Sequence, residues 1–91
     1  MKEDLINIFE HFGTKNQRNK LCEEFRELQD ELLCIYELKI DRDNLLNEGV
    51  DTISIILQFL FEYGYDSKEI IDTLQTRIER TKTRVKNGYY D

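Results

Sequence analysis

From Asn47 to Tyr63 the chain reads NEGVDTISIILQFLFEY, its densest run of apolar residues, yet the run keeps several acids. At 100° per residue on a helix, Val50, Ile53, Ile56, Leu57 and Leu60 cover a broad apolar arc. Glu48, Asp51, Thr52, Ile55, Gln58 and Glu62 fall on the remaining strip. A helix that is apolar over most of its circumference is a buried one, so this strip is expected to face something specific inside the assembly. Ionised carboxylates held there must be paired or must bind a cation.

The other segments show the same 3.6-residue period. Leu5, Ile8, Phe9 and Phe12 predict a short first helix over residues 2 to about 12, with Gly13 as its stop and Thr14 as a new N-cap. A long helix is expected from about Lys15 to Lys39, striped by Leu21, Phe25, Leu28, Leu32, Ile35 and Tyr36 at spacings that suit packing against another helix. The polar stretch Asp41–Asn47 is read as the connection, with Asp43 or Asn44 capping the central helix. Gly64 closes that helix, and Asp66 or Ser67 caps a last one, with Glu69 in its first turn. Ile71, Leu74, Ile78 and Val85 are expected to be its core face, and Asn87 and Gly88 its end. No linker, repeat or low-complexity stretch divides the chain, so residues 1–91 read as a single all-α domain of four helices.

Composition narrows the class. With no proline and four glycines, long uninterrupted helices are natural. A chain of 91 residues buries too small a share of its surface to be comfortable alone, so oligomerisation is expected, a homodimer or a homotetramer built as a dimer of dimers. The net charge of -6 argues against a nucleic-acid polymer as partner and is compatible with binding cations. No window reaches the roughly 18 apolar residues of a membrane helix. The opening MKEDLINIFEHF, with early acids, does not read as a secretory leader. Cys22 and Cys34 sit roughly 18 Å apart on one predicted helix, too far for a disulfide, which points to a reducing, cytoplasmic setting.

The acids then acquire a pattern. On the second helix Glu24, Glu27 and Glu31 flank the apolar stripe, while Glu23 and Asp30 turn towards water. Beside the central helix, Glu24 and Glu27 can meet Glu48 and Asp51, bringing four carboxylates to one volume. Like charges and burial both oppose ionisation there, and a divalent cation resolves the conflict. An all-oxygen cluster without His or Cys favours Mg²⁺, with Mn²⁺ as substitute, and Mg²⁺ suggests a phosphate-bearing substrate. Acids are common in this chain, 19 of 91 residues, so either pair alone is weak evidence; their joint placement, one pair on the most apolar segment, carries the argument.

Glu23-Glu24-Phe25-Arg26-Glu27, separated by twenty residues from Glu48-Gly49-Val50-Asp51, resembles the EExxE, spacer, ExxD motif of MazG-like nucleoside triphosphate pyrophosphohydrolases. These belong to the all-α NTP pyrophosphatase superfamily, together with dimeric dUTPases, dCTP pyrophosphatases and phosphoribosyl-ATP pyrophosphohydrolases. The run from Phe12 to Gln17, leading into Lys20-Leu21-Cys22-Glu23-Glu24, is similar to the family's entry into its first metal helix. The resemblance extends from about residue 10 to the end. It implies Mg²⁺-dependent cleavage of a (deoxy)nucleoside triphosphate to the monophosphate and pyrophosphate, with Glu24, Glu27, Glu48 and Asp51 as metal ligands and Glu24 or Glu27 as proton acceptor for the attacking water.

Further residues follow from the same resemblance. Arg77, Arg80 and Arg84 share one face of the last helix and Lys82 and Lys86 form a second row. The family's habit of placing such residues near phosphates makes Lys82, Arg84, Lys86, Asn87, Tyr89 and Tyr90 candidate substrate contacts, although cations near a helix C-terminus also suit its dipole. Gln17 and Lys20 are candidates for base or phosphate, or else exposed helix residues. His11 lacks a metal partner at helical spacing and reads as a surface or packing residue. Phe59 and Phe61 read as core or subunit interface, and Glu31 and Glu62 as acids near the site. Two rival readings stay open: another superfamily substrate such as phosphoribosyl-ATP, and a non-catalytic helical interaction or regulatory module.

Overall fold

Four helices, α1 (Lys2–Phe12), α2 (Thr14–Tyr36), α3 (Arg42–Glu62) and α4 (Ser67–Lys86), make up the computed structural model, which describes residues 1–36 and 42–91. The described residues contain no strand, and no helix among them is long and apolar enough to cross a membrane. The expected extension of α2 to Lys39 and the turn residue Asp41 lie outside the described residues, as do the side chains of Cys34, Ile35 and Tyr36.

Gly13 is the whole break between α1 and α2. Its φ of 85° is open to a residue without Cβ, and its N–H donates to the Phe9 carbonyl at 2.8 Å. The α3–α4 turn is closed the same way, with Gly64 at φ 94°, its N–H on the Phe61 carbonyl and the Tyr65 N–H on the Leu60 carbonyl. Asp66 then caps α4 through a capping box with Glu69, as the sequence leads one to expect. The start of α3 corrects the sequence reading. The helix begins at Arg42, inside the stretch read as connection, so Asp43 occupies its first turn and Asn44, already helical, donates to Glu31 instead of capping. Polar residues are acceptable there because a first turn needs no buried face, and an acid suits its dipole.

α1, α2 and α3 pack on one another, with the α2–α3 contact the largest. Leu5 and Phe9 from α1 and Ile55 and Phe61 from α3 are the buried apolar side chains among the described residues. Phe9 meets Phe59 edge-on at 4.9 Å, and Lys2 lies over the Phe61 ring. Phe61 is thus a core residue, and Phe59 lies half-buried at the edge of the core.

Three expected core faces are wholly or partly uncovered in this chain. The covered face of α3 is the strip containing Thr52, Ile55 and Gln58, whereas Val50 and Ile53 are exposed and Ile56, Leu57 and Leu60 only half-covered. On α2, Phe25 and Leu32 are exposed while Leu21 and Leu28 are half-buried. More sharply, Ile71, Leu74, Ile78 and Val85 are all exposed, because α4 packs against none of α1, α2 or α3. Periodicity shows that a helix wants a partner, and among the described residues only the start of α4 has one, Ile70 being half-buried beside Leu60.

Candidate metal centre

Glu24 and Glu27 lie one turn apart on α2 and Glu48 faces them from the first half of α3. The large α2–α3 contact turns the outer edge of the α2 stripe toward the polar strip of α3, and one carboxylate oxygen from each of the three falls within 4.8 Å of the others. Glu24 is 4% exposed, Glu48 half-buried and Glu27 exposed, so the cluster opens to solvent on one side.

The electrostatics of the group are unbalanced. Oε2 of Glu24 and Oε2 of Glu48 are buried without a hydrogen-bond partner. Lys20 Nζ approaches Glu24 Oε1 at 3.1 Å and Glu23 at 3.8 Å, and the Glu24 bond and charge hold the lysine above its ordinary pKa. One lysine does not offset three clustered carboxylates. Glu48 is pushed up to about 7, first by its hydrogen-bonding approach to Glu27, then by desolvation, then by the charges of Glu27, Glu24 and Asp51. Two carboxylates at that separation need a proton or a cation between them. The donor set is oxygen only, which suits a hard divalent ion such as Mg²⁺ or Mn²⁺, and the two orphaned oxygens are where such an ion would find ligands.

Of the four expected ligands the structure gathers three. Asp51, one turn beyond Glu48, is exposed and lies instead on a neighbouring cleft, which it lines together with Glu24. That cleft has a volume of about 700 Å³ and is walled by Phe12 of α1, by Asn16, Asn19 and Lys20 of α2, and by Ser54 of α3. Its size falls within the range typical of small-ligand sites. Glu24 joins cleft and acid cluster.

Other expected residues fall elsewhere. Gln17 lines the cleft but is buried, donating through Nε2 to Gln58 Oε1 at 2.6 Å, so its amide is committed to joining α2 and α3. Lys20 lies on the cleft wall beside the acids. Lys82, Arg84 and Lys86 are on α4, and Asn87, Tyr89 and Tyr90 follow it, so the fold does not bring them to the acid cluster. Arg84 instead stacks on the Tyr89 ring at 4.7 Å. Glu31 accepts from Asn44, Glu62 is exposed, and exposed His11 rests edge-on against Phe12. The cleft residues Asn16, Asn19 and Ser54 went unnoticed in the sequence; their signal is the helical spacing that places Asn16, Asn19, Lys20 and Glu23 on one face of α2.

No family model, curated protein or solved structure matches the chain. The functional reading therefore rests on the acid pattern and its geometry.

Proposed function

We propose that the chain is a Mg²⁺-dependent nucleoside triphosphate pyrophosphohydrolase of MazG-like character, working as a homo-oligomer in the cytoplasm to control nucleotide pools. The observation that carries this reading is the pair of buried, unpartnered oxygens on Glu24 and Glu48 within a three-glutamate cluster. A scaffold gains nothing from burying unpaired acids. The exposed, free thiol of Cys22 is in keeping with a reducing compartment.

In the reaction, water oxygen bonds to the α-phosphorus while the bond from that phosphorus to the bridging oxygen breaks, and pyrophosphate leaves. Glu24, Glu27 and Glu48, with Asp51 at the cleft edge, would hold the cation, which supplies Lewis-acid polarisation and neutralises phosphate charge when bound. Glu27, the solvent-facing member of the cluster, takes the proton released by the water. Lys20 orients Glu24 and adds positive charge at the cleft wall, where a triphosphate would enter. The cleft beside the acids is large enough for the nucleoside.

The test is pyrophosphate release from each common NTP and dNTP with Mg²⁺. Metal-dependent release that disappears in Glu48→Gln supports the reading. Absence of release with every nucleotide, in a chain whose stability also ignores Mg²⁺, overturns it in favour of a helical interaction module.

A further inference from the structure

The cleft beside the acids has two unlike ends. Ile8 and Phe12 of α1 make one end apolar, and Lys20, Glu24 and Asp51 make the other charged. Asn16 stands at the apolar end, bonded to Phe12, and Glu24 lies further along the same helix. At a rise of 1.5 Å per residue the two are roughly 12 Å apart, a span suited to a base at one end and a phosphate at the other. Phe12 is half exposed, so its ring offers the cleft a face on which a planar base can stack.

Stacking holds any base, so selection falls to the amides. Asn16 Nδ2 donates to the Phe12 carbonyl at 2.7 Å. A carbonyl can only accept, so this bond fixes which half of the amide is spent and leaves Oδ1, which has no partner among the described residues. Gln17 repeats the pattern. Gln58 spends its amino group on Ser54 Oγ and its carbonyl on Gln17 Nε2, so only the donor half of the Gln17 amide is committed. Gln17 Oε1 has no partner among the described residues, and the buried unpartnered oxygens belong to Glu24 and Glu48, so Oε1 reaches solvent on the cleft that Gln17 lines. Both amides thus offer the cleft an acceptor, with the donor half tied down.

We propose that the cleft selects nucleotides whose base carries an exocyclic amino group on its pairing edge, cytosine or adenine, over those with a carbonyl in that place, uracil, thymine or hypoxanthine. An amino group has two hydrogens to give, one to Asn16 Oδ1 and one to Gln17 Oε1. A carbonyl in the same place faces two acceptors and satisfies neither, which leaves polar groups unpaired in a site closed to water. The inference rests on the cleft being the nucleotide site and adds to that reading the class of base.

Equilibrium binding of nucleoside monophosphates to the full-length chain tests the selection apart from hydrolysis. Titration calorimetry with Mg²⁺ present compares dCMP with dUMP and dAMP with dIMP, pairs in which the amino group is exchanged for a carbonyl. In each pair the amino-bearing member is expected to bind about tenfold more tightly. Asn16→Ala, at an exposed position, lowers that ratio to about twofold or less, because one of the two acceptors is gone. Phe12→Ala weakens all four ligands by about fivefold or more and keeps the ratio, since stacking does not read the edge of a base. Equal affinity within the pairs, a ratio that Asn16→Ala leaves unchanged, or no binding of any of the four overturns the selection. Pyrophosphate release from the triphosphates, measured separately, decides the hydrolase reading whichever way these ratios fall.

Discussion

Gln17 and Gln58 share one buried hydrogen bond, amide to amide at 2.6 Å, between two helices that also hold the acids. Gln58 additionally donates to Ser54 Oγ. Replacing one partner strands the other in the interior, where an unsatisfied polar group costs about 1–3 kcal/mol. Gln58→Leu is therefore expected to lower the melting temperature by roughly 4–8 °C for each kcal/mol lost in a domain of this size. The double variant with Gln17→Leu should lose less than the sum of the two single variants, since the pair is one interaction. Additive losses in thermal melts would show that the two amides act separately.

Neutralising an acid of the cluster should act in opposite directions with and without metal. Above about pH 7, where Glu48 is ionised, Glu48→Gln removes like-charge repulsion from Glu24 and Glu27, so there the metal-free chain should melt higher than wild type. The same change removes a ligand, so stabilisation by Mg²⁺ should vanish and pyrophosphate release should fall by at least about a hundredfold. Differential scanning fluorimetry with and without Mg²⁺, run beside the activity assay, separates the two effects. A lower metal-free melting temperature in the variant would mean that the carboxylate is structurally required.

Protons and cations compete for Glu48. Its folded value of about 7 lies above its ordinary 4.5, so between these values the folded chain holds a proton that the unfolded chain has released. This contribution is fully present below the unfolded value and is lost as pH rises through the folded one, so the metal-free chain becomes less stable across that window. Mg²⁺ needs the deprotonated group, so its stabilising effect should grow over the same interval. Melting curves at saturating and zero Mg²⁺ should diverge as pH rises from about 5 to 8. Curves that stay parallel would take Glu48 out of the metal site.

That Glu24, Glu27 and Glu48 come together was legible in the sequence, because the first two obey the i, i+3 spacing of α2 and the apolar stripes limit how two such helices can lie together; that Asp51 turns to the cleft instead was not. The buried role of Gln17 and Gln58 was not legible. An amide reads as exposed until a facing amide is supplied by a residue 41 positions away, and only the α2–α3 contact supplies it. The middle of the strip on α3 points inward as expected, Thr52 and Gln58 each being 3% exposed, whereas Asp51 and Glu62 of the same strip are exposed. The broad apolar arc misled for the complementary reason. Val50 and Ile53 look like core in any helical projection, and a projection carries no information about whether the covering surface belongs to the same chain. The same holds for Ile71, Leu74, Ile78 and Val85 on α4. Asp43 and Asn44 were misplaced as caps because their letters suit a helix start and a helix interior near its start almost equally well.

α4 should unfold apart from the rest when its start is weakened. Asp66 accepts from the Glu69 N–H at 2.8 Å and Glu69 returns to the Asp66 N–H, so Asp66→Ala removes the acceptor that organises the first turn. Loss of such a cap costs about 0.5–2 kcal/mol. In a helix bound to its own body that cost would spread over the whole fold, but among the described residues α4 does not pack along α1, α2 or α3 and meets α3 only at its start, where Leu60 lines a recess with Glu69, Ile70 and Thr73. Hydrogen exchange followed at dilute concentration, where chains are apart, should therefore show faster exchange throughout Ser67–Lys86, with α1, α2 and α3 unchanged. Uniform acceleration across all four helices at dilute concentration would mean that α4 is coupled to the other three helices after all.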